Sequence, residues 1–266
     1  MAFVDIEDPH DSRLREFRLN ERGLASRSER RDDAGAGLFL AEGDLVVERA
    51  LAAGCVPYLA LADGERVLPV TAALAEQIDV FVGGAEVRHH VTGLGLPQPV
   101  IALFRRPPRP PADELAARTH RLVVVEGVDN PVNVGGIVRN AAGLGWGGLL
   151  LDHTSADPFS RRALRVAMGT AFALPHARTR DLTSVLAGLA GHDLFALTPD
   201  PSARELGEVA AEADPARPRA VLIGSERAGL SAELLTAALP VRIAMSAGVD
   251  SLNAAAATAV ACFALR

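Results

Sequence analysis

The 266-residue sequence predicts an α/β protein of two domains, and three observations carry that prediction. Short apolar runs alternate with amphipathic segments along the chain, as strands and helices do when they take turns. The stretch Arg105-Arg-Pro-Pro-Arg-Pro-Pro111 holds four prolines, which exclude a regular helix and make a stiff, extended connector. Beyond it the apolar runs become nearly continuous, the pattern of a parallel sheet covered on both faces. The expected division is therefore 1–105 as a small α/β sandwich, 106–111 as a linker, and 112–266 as an α/β domain with a mostly parallel sheet.

In the first domain Leu38-Phe-Leu-Ala41 reads as a strand. A helix over Gly43 to Ala53 follows, because Leu45, Val46, Arg49, Ala50 and Leu51 recur at helical spacing. Tyr58–Leu61, Asp79–Val82 and Val100–Phe104 are three further strands. In the second domain the strands are Leu122–Glu126, Gly148–Leu151, Leu194–Leu197, Ala220–Gly224 and Val241–Ile243. The alanine-rich run from Ala254 to Ala259 is a good helix former and closes the domain.

Composition sets the outer bounds. Hydrophobic residues make up 49% of the chain and charged residues 23%, enough for packed cores under a soluble surface. No apolar run approaches the roughly 18 to 20 residues that span a bilayer, and the first residues lack the basic-then-apolar order of a signal peptide. Cytoplasm is the expected location. The two cysteines, Cys55 and Cys262, lie far apart and read as buried, reduced thiols. His89-His90 lacks further spaced ligands, so the pair is expected on the surface or in packing, and no metal site is expected. The net charge of −6 is a weak guide to nucleic-acid binding, since contacts depend on where the cations sit. All 27 basic residues are arginines. Seven of them fall between Ser12 and Arg31, including Arg27, Arg30 and Arg31, among three glutamates. Such a segment either grips phosphates through the guanidinium fork or forms a solvated helix of mixed charge.

Three polar, glycine-bearing segments begin at or just past the ends of predicted strands, where open α/β sheets bind ligands. The first is Asn133-Val-Gly-Gly-Ile-Val-Arg139-Asn-Ala141. Asn133 is expected to cap a helix running to about Leu144, with Gly135 and Gly136 leaving its first turn bare for a ligand. Helix N-termini favour anions such as an RNA phosphate, although an ordinary capped turn has the same pattern. Arg139 lies six residues on, in an otherwise apolar stretch, and must find a partner or solvent. The second segment is Ile223-Gly-Ser-Glu226-Arg-Ala-Gly229-Leu230, whose one carboxylate is Glu226; Ser231 is a candidate cap for the helix after it. The third runs Ile243-Ala-Met245-Ser-Ala-Gly-Val-Asp-Ser251-Leu-Asn253-Ala, and Ser251 and Asn253 can both cap the final helix. Gly143-Leu-Gly145-Trp-Gly147 is no dinucleotide fingerprint, because it follows a helix and precedes a strand. No Gly-Lys-Ser/Thr is present, which excludes a P-loop.

In this order the three segments resemble the signature motifs of the SpoU-type RNA 2′-O-ribose methyltransferases of the SPOUT superfamily. Leu38-Phe-Leu-Ala-Glu42-Gly43 and its alanine- and valine-rich helix resemble, more loosely, the L30e/L7Ae-type substrate domain attached to many of them. The resemblance implies a C-terminal trefoil knot, S-adenosyl-methionine as methyl donor, RNA as substrate, and a homodimer whose site is completed across two subunits. It implies catalytic roles for Asn133, Arg139, Glu226, Ser251 and Asn253, and a donor pocket of Thr198, Gly224, Ile243, Met245 and Leu252. The matching arginine helps activate the ribose hydroxyl in the family; a guanidinium of pKa above about 12 is a poor literal base, so Arg139 is expected to orient the nucleotide, with a neighbouring phosphate assisting. Arg161, Arg162 and Arg165 at helical spacing would form a basic edge for RNA, or simply a solvated helix face. The chain departs from the family pattern at Ala244 and Ala254, where proline and valine are usual; both changes are apolar. An L30e-like domain points to ribosomal RNA, with transfer RNA as the alternative. A non-catalytic RNA-binding or ribosome-assembly protein is the competing class, and the presence of all five polar residues argues against it.

Overall fold

The computed structural model describes residues 2–25, 37–66, 68–93 and 98–266. They fold as two compact units, one built from the chain up to Pro108 together with Phe159–Phe172, the other from Arg109–Pro158 and Ala173–Arg266.

The first unit begins with β1 (Phe3–Asp5), a 3-10 helix over Ser12–Arg18 and α1 (Glu21–Leu24). β2 (Leu38–Glu42), α2 (Asp44–Ala52), β3 (Pro57–Asp63), α3 (Pro69–Ala75), β4 (Val80–Gly83), α4 (Ala85–Thr92) and β5 (Val100–Arg105) follow. The five strands form one sheet in the order β1-β4-β3-β5-β2, with β5 antiparallel to both its neighbours and the other pairs parallel. Gly43 sits between β2 and α2 at φ +89°, a conformation glycine reaches without Cβ strain. One core cluster gathers Leu14, Phe17, Leu40, Leu61, Phe81, Ile101 and Leu103.

The second unit opens with α5 (Ala112–Arg118), β6 (Arg121–Val125), α6 (Pro131–Gly143) and β7 (Gly148–Asp152). The chain then returns to the first unit as α7 (Arg161–Val166). It re-enters the second as β8 (His176–Thr179), α8 (Leu182–Ala187), β9 (Asp193–Leu197), β10 (Arg204–Glu205) and α9 (Leu206–Glu212). β11 (Arg219–Ile223), α10 (Ala232–Ala237), β12 (Leu239–Arg242) and α11 (Ala254–Ala264) complete it. Its seven strands run in the order β10-β12-β9-β11-β6-β7-β8, and every pairing is parallel. This is the mostly parallel α/β sheet that the continuous apolar runs predict. The short strands β1, β8 and β10 have no counterpart among those runs, since each sits at or near a sheet edge and needs few apolar residues.

The span expected as one domain, 112–266, is interrupted. Phe159–Phe172 groups with the first unit because its aromatics bury there: Phe39 lies 5.1 Å from Phe159 and 5.4 Å from both Phe172 and Phe104, centroid to centroid. Arg161 adds an ion pair from Nε to Glu42 Oε2 at 2.9 Å and donates from Nη1 to the Thr92 carbonyl at 2.8 Å. The connector 106–111 carries no regular element, but Arg106 is buried and donates from Nε to the Leu38 carbonyl at 3.0 Å.

Two expectations about α6 are corrected. Its cap is Asn130, whose side chain accepts from the Val132 amide, with Pro131 as the first helical residue. Asn133 therefore lies inside the first turn, where its side chain is free for other work. Gly136 serves packing: a Cβ there would stand 2.6 Å from the Ala255 Cβ, so its absence lets α11 close onto α6. Asn140 Nδ2 donates to the Ala255 carbonyl at 2.7 Å, and Trp146 Nε1, in the turn after α6, to the Cys262 carbonyl at 3.0 Å, fastening α6 and its following turn to α11. Both cysteines are free and buried, and burial pushes the Cys55 thiol up to about 11 and the Cys262 thiol up to about 12.

Candidate active site

The three polar segments meet beyond the carboxyl ends of β6, β11 and β12. Motif by motif, the backbone explains why. After β11 the chain turns through Ser225–Gly229: the Ser225 carbonyl accepts from the Gly229 amide at 3.0 Å, and Ser225 Oγ accepts from the Ala228 amide at 3.1 Å. Gly229 adopts φ +70°. A Cβ on Gly224 would overlap the Gly229–Leu230 backbone, approaching the Gly229 oxygen to 2.5 Å, so only glycine fits. Ser231 then caps α10, and its amide donates to Glu126 Oε2 at 2.7 Å, tying this loop to the end of β6.

Three side chains, one from each motif, form a closed hydrogen-bonded set. Asn133 Nδ2 donates to Glu226 Oε1 at 2.9 Å. Asn253 Nδ2 donates both to Glu226 Oε1 and to Asn133 Oδ1, each at 2.8 Å. Asn253 Oδ1 is engaged as the cap of α11, accepting from the Ala255 amide at 2.9 Å and from that of Ala256 at 3.4 Å. Every amide orientation in the set is thus determined by the bonds of its neighbours. Asn133 is buried, while Glu226 and Asn253 face solvent.

Beside this set lies a pocket of about 380 Å³. All five residues expected to hold a methyl donor line it: Thr198, Gly224, Ile243, Met245 and Leu252. Glu226 and Ser251 line it as well. Ser251 is exposed and plays no part in capping α11, which Asn253 does alone. Leu197, Leu235 and Val241 supply apolar wall, and the carboxylates of Glu226 and Asp250 supply negative charge. An apolar body that carries a positive charge suits that lining.

Arg139 stands apart. It lies on an exposed part of α6 and is not among the pocket-lining residues. Six residues along a helix turn a side chain about 240° away, so Arg139 and Asn133 leave α6 in different directions. Of the arginines expected to meet RNA, Arg27, Arg30 and Arg31 lie outside the described residues. Arg161, Arg162 and Arg165 belong to α7 of the first unit. Arg161 is committed to Glu42 and Thr92 and is no part of a free basic edge; Arg165 is exposed but also lies 3.8 Å from Glu42, and Arg162 is exposed.

Sequence reasoning missed Arg227 and Asp250 as pocket residues, although both sit inside the quoted motifs. It also missed Asp152, at the end of β7. Burial is the largest influence on this carboxyl and pushes its pKa up, but hydrogen bonds from Ser155, Thr154 and the Gly127 amide outweigh burial and hold it below the usual carboxylate range. Asp152 Oδ1 accepts from the Gly127 amide at 3.0 Å, and Ser155 Oγ accepts from the Val128 amide at 3.1 Å, so this cluster anchors the turn that leads into α6.

The SpoU rRNA methylase family model matches residues 120–263, more than half of the chain. The chain belongs to the SpoU rRNA methylase family. An uncharacterized tRNA/rRNA methyltransferase of Mycobacterium bovis is 40% identical over 97% of this chain and 89% of its own length. The 23S rRNA (guanosine(2553)-2′-O)-methyltransferase RlmP of Bacillus subtilis is 28% identical, over 86% of this chain and 88% of its own. The crystal structure of an AdoMet-bound rRNA methyltransferase from Sinorhizobium meliloti superposes with a TM-score of 0.81 at 26% identity, covering 99% and 97% of the two chains. The SpoU segment contains all three motifs, the closed set of Asn133, Glu226 and Asn253, and also the stretch Phe159–Phe172 that folds with the first unit.

Proposed function

We propose that this SpoU family member methylates a ribose 2′-hydroxyl in structured RNA, with ribosomal RNA as the substrate. The observation that carries the reading is the contact of Asn133, Glu226 and Asn253 at the rim of a pocket lined by all five expected donor-binding residues. The methyl donor is S-adenosyl-methionine, as in the AdoMet-bound Sinorhizobium meliloti structure. Thr198, Gly224, Ile243, Met245 and Leu252 would hold it, and Glu226 and Asp250 suit its positive charge. When bound it supplies an electrophilic methyl group, so the protein's share is orientation and help with proton loss.

The side chains divide that share. Two amide donors fix Glu226 through Oε1, and no described residue donates to Oε2, which is available to a substrate hydroxyl. Ser251 offers an exposed hydroxyl at the pocket. Arg139 acts from a neighbouring copy: α11, which packs on α6, exposes Ala256, Val260 and Phe263 at helical spacing, with Phe263 56% exposed, and α6 exposes Val132. An apolar stripe of that kind suits a homodimer contact. Val132, Gly136 and Arg139 share one edge of α6 by their spacing, so pairing through this face brings Arg139 to the partner. The first unit, read as L30e-like, would grip looped RNA by shape. The trefoil knot implied by the family and a cytoplasmic location complete the reading; no described helix is long and apolar enough to cross a membrane.

The test is methyl transfer from labelled S-adenosyl-methionine to separated ribosomal and transfer RNA fractions that lack the modification, followed by nucleoside mass spectrometry. A 2′-O-methylnucleoside in ribosomal RNA, lost with Arg139→Ala, supports the proposal. Product in transfer RNA alone replaces the substrate class. Donor binding without transfer to either fraction, assembly intermediates included, would leave the non-catalytic reading in its place.

A further inference from the structure

Among the described residues only three charged side chains line the pocket: Glu226, Asp250 and Arg227. Arg227 is the one cation. It is exposed and forms no hydrogen bond or ion pair with another described residue. Its neighbours along the chain are tied down. Glu226 before it is held by two asparagines, and Ala228 and Gly229 after it both donate to Ser225. A long, unengaged guanidinium therefore projects from a rigid loop tip, beside two carboxylates, at the mouth of the pocket.

An unpaired arginine on so tightly tied a loop suits an anion that arrives with the substrate. The two carboxylates suit a cationic donor, but they repel the phosphodiester that must come with any ribose delivered to the same place. A guanidinium fork matches phosphate oxygens in geometry as well as charge. We propose that Arg227 binds the phosphodiester next to the target ribose and is an RNA-positioning residue of this site. This inference rests on the RNA-methylation reading above and adds the group that seats the strand.

The experiment uses the full-length protein and the RNA fraction that accepts methyl groups. RNA affinity is measured as a function of potassium chloride, with kcat, KM and S-adenosyl-methionine affinity alongside, for wild type, Arg227→Ala and Arg227→Lys. For Arg227→Ala, RNA affinity should fall about tenfold at roughly 0.1 M salt, and the slope of log K against log salt should shrink by about 0.7 to 0.9, one phosphate contact. The loss should fall on KM, with donor affinity within about twofold of wild type and the melting temperature unmoved. Lysine should keep the salt slope and recover part of the affinity, because it supplies the charge without the fork. An unchanged slope and KM in the alanine variant would overturn the proposal. So would weakened donor binding with RNA affinity intact, which would place Arg227 on the donor's carboxylate. A wild-type protein that binds the donor but no RNA would strike the functional reading itself, before any variant is compared.

Discussion

Aspartate at position 253 gives the sharpest test of the three-motif contact. Asp and Asn cap helices equally well, so the bonds to the Ala255 and Ala256 amides should survive in Asn253→Asp. What disappears is the NH2 group that donates to Asn133 Oδ1 and Glu226 Oε1, both at 2.8 Å. The neutral bond is worth about 1 kcal/mol and the charge-assisted one about 1.5 or more. Two carboxylates at that spacing repel by about 1.5 kcal/mol even at the dielectric of water. The variant should therefore lose roughly 4 kcal/mol at pH 8. The pH dependence has a definite sign. Repulsion raises one carboxyl of the pair above its unfolded value near 4, so the penalty is complete above the raised pKa and is relieved as pH falls through it. Urea denaturation read by Trp146 fluorescence suits the question, because its indole donates to the Cys262 carbonyl within α11. Asn253→Ser is the control: it keeps a cap and adds no charge, so its smaller deficit should not vary with pH. An Asn253→Asp protein with the wild-type midpoint at pH 8, or with a deficit indifferent to pH, would refute the contact. Methyl transfer should fall by more than about a hundredfold if the set aligns the reaction, since about 3 kcal/mol of transition-state stabilisation corresponds to that factor.

Three further expectations follow from local geometry. Gly224→Ala forces its methyl into the Gly229–Leu230 backbone, so S-adenosyl-methionine affinity measured by calorimetry should drop at least about tenfold, for a displacement that costs about 1.4 kcal/mol or more. Arg161→Ala leaves the Glu42 carboxylate, only 3% exposed, with Arg165 at 3.8 Å as its remaining cation; losing the nearer guanidinium should cost about 3 kcal/mol, the lower end for a broken buried pair, and hydrogen exchange should quicken in β2 and α7 while the β11 amides stay protected. Asp152 has a depressed folded-state pKa, so its stabilisation is present above the unfolded value of about 3.9 and is lost as pH falls through the folded one. Acid denaturation of Asp152→Asn should accordingly show a flatter limb below about pH 4 than wild type, and an identical limb would refute the anchoring role.

Much of the second unit was legible because its strands are buried on both faces and announce themselves as apolar runs. The pocket was legible for a different reason: Thr198, Gly224, Ile243, Met245 and Leu252 sit in or beside strand-end motifs whose likeness to the SpoU pattern gave their positions. Local roles were harder. Asn133 looked like a cap because it opens an apolar stretch, yet Asn130 precedes a proline and Asn-Pro is itself a strong helix start. Gly136 looked like an opening for a ligand, when the partner that needed the space was Ala255, more than a hundred residues away. Arg161 looked like half of a basic edge, but helical spacing says nothing of a buried glutamate far upstream. The affiliation of Phe159–Phe172 was invisible for the same reason: its destination is Phe39, and no local pattern encodes that distance.

That detour of the chain bears on how such a protein can be taken apart or recombined. A fusion or truncation made at the proline connector severs only one of three crossings; the other two lie at Pro158/Phe159 and Phe172/Ala173. A fragment ending at Pro108 would leave Phe39 without two of its three ring neighbours and Glu42 without Arg161. Exchanging the first unit of this methylase for another therefore requires two transplants, the leading segment and the matching fourteen-residue insert from Phe159 to Phe172, because the two halves are interlaced in sequence even though each packs its own core.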